Sequence, residues 1–276
     1  MTRAETGKLL ELDGSPTSIR TIVAQSWAHR DVLSMLARAE FQARYKRASF
    51  GILWAVAVPM LQAVILAVVF SRVVKLGSFQ GYSAYVISGT LAWSYFAMTL
   101  GTGASSIVDG SGLTEKLWFP RALLPIVSAL ANMASLGISM LVLLLILGLA
   151  GGNYGLHLLL LIPACLFLVV FTAALSLVLA ALHVYFRDVR FLVQAVLMVA
   201  IYATPVIYQI QLVNRLKPFM IINPLTGIIG TFHAAVLRPD AYWQASLAVS
   251  LIATLGLLVA AVLVYKRHDR LFADLL

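Results

Sequence analysis

The residues that could do chemistry in this chain are polar ones set inside apolar runs. Gln194, Met198, Tyr202, Pro205 and Gln209 recur at helical spacing, with Tyr208 beside them. Trp54 and Gln62 share one uncharged run, and Trp93, Tyr95 and Phe96 share another. Stacked rings and side-chain amides suit a neutral, hydroxyl-rich ligand such as a sugar chain. For the Gln194–Gln209 stripe, a pathway wall and ordinary packing are equally open, because Gln and Tyr are larger than close helix packing favours. Aromatic residues also simply fill cores, so these positions alone do not decide the matter. A further stripe, Ser128, Asn132, Ser135 and Ser139, reads as the small polar contact surface between packed helices.

Missing chemistry narrows the field. The apolar runs hold essentially no Asp, Glu, Lys or Arg, whereas ion-coupled transporters and pumps bury ionisable groups to bind the coupling ion. There is no GxxxxGK[ST] loop to cradle ATP phosphates. His157, His183 and His233 fall on separate segments, so neither a metal site nor the His/Asp/Glu constellation of a membrane-bound glycosyl or acyl transferase is expected. Cys165 is the single cysteine, which excludes an intrachain disulfide. A transporter built this way binds no cofactor of its own and takes its energy from a partner.

The elements that must position these groups are membrane helices. Of 276 residues, 61% are hydrophobic and 11% charged, against about 25% charged in soluble proteins. The net charge of +9 is assigned to membrane edges and not to nucleic acid. The stretch Arg38–Pro59 sets the frame. Arg38, Arg44, Lys46 and Arg47 are followed by a run from Phe50 to Phe70 without charge, about the length a helix needs to cross a bilayer. Ahead of it, residues 1–29 read as a flexible cytoplasmic tail with no cleaved signal peptide. Asp31 is then the expected N-cap of a helix to Arg47 with an apolar stripe of Val32, Leu36, Ala39 and Ala43, and a Glu40–Arg44 pair. That helix fits either a membrane surface or open solvent.

The fold class predicted is an all-α polytopic membrane protein with six transmembrane helices. The crossings fall near Phe50–Phe70, within Tyr82–Val108, then near Leu123–Leu149, Leu158–Leu182, Phe191–Ile210 and Trp243–Tyr265. Phe219–Leu237 is apolar but broken by Asn223, Pro224, Gly227 and Gly230, and reads as a re-entrant hairpin. Of the 20 Lys and Arg, this threading leaves only Arg72, Lys75, Arg215, Lys217 and Arg238 outside. The N- and C-termini are therefore expected in the cytoplasm. Two cytoplasmic loops stand out, Asp109–Pro125 with Trp118 and Phe119, and His183–Arg190.

In order along the chain, RYKRASFGILWAVAVPM (Arg44–Met60), KLWFPRALLP (Lys116–Pro125), FRDVR (Phe186–Arg190), TPVIY (Thr204–Tyr208) and NPLTGII (Asn223–Ile229) resemble the membrane subunit of type-2 ABC exporters. The nearest branch is the polysaccharide permeases that export O-antigen, capsule or teichoic acid. The resemblance implies a homodimer in the cell (inner or plasma) membrane, bound to two copies of a separate ABC ATPase that uses ATP and Mg, and exporting a lipid-linked glycan. It implies a transmembrane domain over residues 30–276 whose N-terminal helix lies at the cytoplasmic interface. Asp109, Glu115, Lys116, Trp118 and Phe119 would belong to an ATPase-coupling loop. The first and fifth crossings would line a channel that includes Trp54, Gln62, Trp93, Tyr95, Gln194, Tyr202, Tyr208 and Gln209. Asn223, Pro224 and Gly227 would form an outer gate. An exporter of drugs or lipids is the alternative within transport, and a membrane-bound transferase is the alternative outside it.

Overall fold

The computed structural model describes residues 27–73, 81–110, 121–149, 155–237 and 239–268. Every regular element among them is helical. Helix α1 spans Arg30–Tyr45. A turn at Gly51, whose φ of 52° lies in the left-handed region that favours glycine, leads into α2, Trp54–Val68. Then follow α3 (Tyr82–Gly103), the short α4 (Ser106–Asp109) and α5 (Leu124–Leu149). After these come α6 (Leu161–Tyr185), α7 (Val189–Ala203), α8 (Lys217–Ile222), α9 (Pro224–Val236) and α10 (Trp243–His268).

Four segments are long and apolar enough to cross a bilayer: Gly51–Val73, Leu124–Leu149, Leu156–Tyr185 and Trp243–Tyr265. They match the expected first, third, fourth and sixth crossings, and the chain is a polytopic membrane protein. Helix α3, at the expected second crossing, is the hub. It packs against α2, α5, α6, α7 and α9, and Tyr85, Val86, Leu91 and Ala92 are fully enclosed. Its Ser, Thr, Tyr and Gly content lowers its hydropathy and also lets so many neighbours approach it.

Three expectations change. The expected fifth crossing is not one continuous helix: α7 stops at Ala203. Thr204 precedes Pro205 and takes an extended backbone, with φ −116° and ψ 138°, because proline disfavours the α conformation of the residue before it. The 15 residues of α7 span about 22 Å, short of the roughly 30 Å of a bilayer core. The second change concerns α1, which starts at Arg30 with Asp31 inside its first turn and not at the cap. The third is the face that α1 buries. Ala39 and Ala43 of the expected stripe are exposed, whereas Leu33 and Ala37 pack on Leu123, just ahead of α5, and on Val127 and Ala131 of α5. Leu36 of the expected stripe packs at the edge of the same cluster, so the buried face is turned by about one residue from the one expected. Glu40 and Arg44, one and two turns further along the same face, are consequently half-buried against α5.

Asn223, with an extended backbone, separates α8 from α9. Its side chain accepts a hydrogen bond from the Leu225 amide, an N-cap that begins α9 at Pro224. Helix α9 then runs antiparallel to α10. Trp243 Nε1 donates to Thr231 Oγ1, and the Ser250 hydroxyl donates to the Pro224 carbonyl.

Candidate functional site

A cleft of about 560 Å³ opens where α1 meets α2. Arg44 and Tyr45 come from the end of α1, Trp54, Pro59 and Gln62 from α2, Trp93 and Tyr95 from α3, and Asn132, Ser135 and Ser139 from α5. Four of the expected channel residues, Trp54, Gln62, Trp93 and Tyr95, therefore share one cavity. Their surroundings differ. Trp54 is half open and meets Phe50 edge to face. Trp93 is buried against Phe96. Tyr95 is buried and its hydroxyl donates to the Ala129 carbonyl at 3.1 Å, so it also ties α3 to α5. Pro59 sits within α2 and denies the Ala55 carbonyl its usual helical donor, and both residues line the cleft.

The stripe on α5 does more than pack helices. Ser128 donates to Glu40 at 3.3 Å, and Asn132 Oδ1 accepts from Arg44 Nη1 at 2.6 Å; both are helix–helix contacts. Asn132, Ser135 and Ser139, however, also line the cleft. From sequence, Arg44 is a membrane-edge charge and the partner of Glu40, but not a cleft residue. Burial raises the Glu40 carboxyl above its ordinary range, and the nearby Arg44 charge and the Ser128 hydrogen bond pull it back only in part. Arg44 Nη2 stands 3.5 Å from Glu40 Oε1.

The remaining expected channel and gate residues lie elsewhere. Gln194 and Tyr202 are on exposed faces of α7. Tyr208 and Gln209 follow its broken end, so the helical stripe through Gln209 is interrupted at Thr204. Within one chain the first and fifth crossings thus do not share this cleft. Tyr202, Tyr208 and Asn223 instead meet at one seam. Tyr208 Oη donates to the Tyr202 carbonyl at 2.6 Å, and Asn223 Nδ2 donates to the Ala203 carbonyl and to Thr204 Oγ1. From α3, Tyr82 donates to the Ile207 carbonyl, and Tyr85 donates to those of Pro205 and Tyr208. The Tyr85 ring stacks on His233 of α9 at 3.6 Å between centroids. The non-helical backbone between α7 and α8 is thereby satisfied by protein groups, as burial away from water requires. Pro224 opens α9, and Gly227 is wedged against Ser246 and Ser250 of α10.

Of the residues expected in a coupling loop, Asp109 ends α4, accepts from Ser105 at 2.6 Å and stands 3.9 Å from Arg190 at the start of α7. Glu115, Lys116, Trp118 and Phe119 lie outside the described residues. Among the described residues no group of His, Cys, Asp and Glu is placed to hold a metal ion.

Comparison with known proteins agrees with this architecture. The chain is 29% identical to an O-antigen export system permease protein RfbA of Myxococcus xanthus, over 92% of this chain and 98% of that protein. It is 27% identical to an O-antigen export system permease protein RfbA of Klebsiella pneumoniae, over 72% of this chain and 77% of that one. Residues 31–237, from α1 through α9, match the ABC-2 type transporter family. This chain belongs to the ABC-2 type transporter family.

Proposed function

We propose that this chain is the membrane-spanning permease subunit of an ATP-driven exporter that moves a lipid-linked polysaccharide from the cytoplasm to the outer side of the cell membrane. The observation that carries the proposal is the cleft at the α1–α2 join. It puts aromatic rings (Trp54, Trp93), an amide (Gln62) and hydroxyls (Ser135, Ser139) beside the basic membrane edge. Such a surface suits an amphiphilic glycan, and the O-antigen export permeases that the chain resembles along its length add support.

In this proposal two copies of the chain pair. Gln194 and Tyr202 on α7, exposed in one copy, would then join Trp54 and Gln62 of α2 in lining the channel. Residues 30–276 act as one transmembrane domain behind a cytoplasmic tail, 1–29, and both termini are cytoplasmic. Six crossings require α3 and α7 to be added to the four long apolar segments, with Thr204–Gln209 extending α7. Helix α1 lies at the cytoplasmic interface.

The hairpin re-enters from the outside and acts as the outer gate at Asn223, Pro224 and Gly227. Its pairing with α10 supports this. The tip at Pro224 reaches only Ser250, about 10 Å along α10 from Trp243 at 1.5 Å per residue, and α9 returns to Trp243.

Two copies of a separate ABC ATPase, using ATP and Mg, dock on the loop that starts at Asp109 and holds Glu115, Lys116, Trp118 and Phe119. The test is Trp118→Ala and charge reversal at Glu115 or Lys116 in the complex with its ATPase. ATP turnover linked to export should fall at least tenfold while membrane insertion is unchanged. Unaltered turnover and co-purification would remove the loop from the coupling path. Deleting the gene should abolish surface polysaccharide, and an intact surface glycan would refute the export reading.

A further inference from the structure

Helix α7 is packed lightly along its sides and gripped at both ends. Of its 15 residues, Val189, Val193 and Ile201 alone are buried. At its start, Arg190 Nη1 stands 3.9 Å from Asp109 Oδ1. Asp109 is itself held in place. Its other carboxylate oxygen accepts from the Ser105 hydroxyl at 2.6 Å. Ile107, two residues earlier, is buried in one cluster with Leu177, Ala180 and Val184 of α6 and Tyr265 of α10. The loop that begins at Asp109 therefore stands on the end of α6, and it meets α7 at Arg190.

At the far end one side chain serves two helices. Asn223 Oδ1 accepts from the Leu225 amide and caps α9. Its Nδ2 donates to Thr204 Oγ1 and to the Ala203 carbonyl, one of the last-turn carbonyls that a helix leaves without a helical donor. Tyr208 Oη donates to the Tyr202 carbonyl and lies 3.8 Å from Met220 Sδ of α8. The end of α7 and the tip of the hairpin thus form one unit. The lengths fit a continuous connection. Helix α7 spans about 22 Å at 1.5 Å per residue. The hairpin tip, where the Ser250 hydroxyl meets the Pro224 carbonyl, lies about 10 Å along α10 from Trp243. Laid end to end they cover the roughly 30 Å of a bilayer core.

A helix closed by its own backbone hydrogen bonds is stiff, and one with few buried side contacts can shift as a body between its neighbours. We propose that α7 is a transmission rod: Arg190 takes up movement of the ATPase-docking loop at Asp109, and Asn223 passes it to the tip of the hairpin. This rests on the export reading above, and it makes Arg190 and Asn223 positioning residues. The Arg190–Asp109 pair is half-exposed and adds little to stability. Removing it should leave the fold intact and change only how α7 follows the loop.

The full-chain permease, purified with its ATPase, is compared in Mg-ATP and in Mg-ADP by hydrogen exchange. In wild type, exchange over residues 204–210 and 219–226 should differ at least threefold between the two nucleotides. Arg190→Gln should cut that difference by at least half, with ATP turnover within twofold of wild type and the thermal midpoint unchanged, and Arg190→Lys should keep most of it. Asp109→Asn can still accept from Ser105 but loses its charge. Combined with Arg190→Gln, it should cost no more than the larger single loss, because both remove one contact. Asn223→Ser retains a capping oxygen for α9 but is too short to reach Ala203. It should keep the difference at 204–210 and lose it at 219–226. An undiminished difference in Arg190→Gln, or a double variant that loses the sum of the two, would overturn the grip at Asp109. An undiminished difference at 219–226 in Asn223→Ser would overturn the grip at the hairpin. No difference between nucleotides in the wild-type complex would overturn the rod as a whole, whereas failure to co-purify any ATPase, or an intact surface glycan in the deletion strain, overturns the export reading itself.

Discussion

The cleft at the α1–α2 join and the seam where α7, α8 and α9 meet both hold polar groups inside an apolar protein, and they treat them in opposite ways. At the seam, the carbonyls of Ala203, Pro205, Ile207 and Tyr208 each receive a donor from Asn223, Tyr82 or Tyr85. Buried groups close by that lack a partner, Thr226 and His233 Nε2, border only about 20 Å³ of space, room for a single water. Around the cleft of about 560 Å³, Asn132 Nδ2 and Ser135 Oγ lack a partner. Paired polar groups with no space fix a conformation, whereas a large cleft with polar groups in its wall leaves room for a ligand. Substitutions at the seam should therefore cost stability, and substitutions in the cleft should cost binding.

The largest effect is expected at Gly227. A Cβ built there would stand 2.3 Å from the Ser246 carbonyl oxygen and 2.4 Å from its carbon. Backbone cannot yield as a flexible side chain can, so α9 and α10 have to separate. Overpacking of this kind costs about 1–3 kcal/mol or more. Gly227→Ala should lower the thermal midpoint by several degrees, and Gly227→Val should yield aggregated protein on gel filtration. A Gly227→Ala variant as stable as wild type would show that the seam is not rigidly packed.

Tyr85→Phe comes next. It keeps the ring on His233 but removes the hydroxyl shared by the Pro205 and Tyr208 carbonyls. Leaving buried acceptors without a donor costs about 1–3 kcal/mol. The loss should be local, seen as faster hydrogen exchange in residues 204–210 with that of Arg30–Tyr45 unchanged. Faster exchange over Arg30–Tyr45 in this variant would mean that the two regions are coupled within one chain, and the contrast between them would fail.

The contrast also explains which parts of the molecule were legible in the sequence. Apolar length set the long helices, so Gly51–Val73, Leu124–Leu149, Leu156–Tyr185 and Trp243–Tyr265 fall close to the crossings expected. The α8–α9 break was visible because Asn223 and Pro224 carry their own local geometry. The end of α7 was not anticipated, although Pro205 marks it, because apolar content continues through Ile210 and hydropathy is blind to backbone conformation. The cleft was half legible. Its aromatic and amide residues stood out as polar points in apolar runs, but Asn132 and Ser135 looked the same as helix-packing residues. Only geometry distinguishes a polar group that has found a partner from one that has not. The Glu40–Arg44 pair was legible from its spacing, but its contacts with Ser128 and Asn132 appear only when α1 is docked on α5.

The smallest expected effect is a pH dependence confined to the mouth of the cleft. The seam is held by hydroxyls, amides and carbonyls, whereas α1 is held on α5 partly through Glu40. Burial raises the Glu40 carboxyl above 4.5, with Arg44 and Ser128 opposing in part. The docked state thus keeps its proton to a higher pH than undocked or unfolded chain does. Where the folded state binds more protons, stability falls as pH rises. The Glu40 contribution is therefore most favourable at or below about 4.5, weakens as pH climbs through the interval up to the raised value, and is constant above it. Glu40→Gln stays uncharged throughout and can still accept from Ser128, so it should remove this slope and dock α1 at neutral pH at least as firmly as wild type. Hydrogen exchange over Arg30–Tyr45, corrected for the intrinsic pH dependence and compared at pH 5 and 7.5, should show lower protection at 7.5 in wild type and none of that difference in Glu40→Gln, with residues 204–210 unchanged in both. If instead the variant loosened α1 at pH 7.5, the ionised Glu40–Arg44 pair would be holding the helix down, and the attraction at 3.5 Å would outweigh the cost of burying the carboxylate.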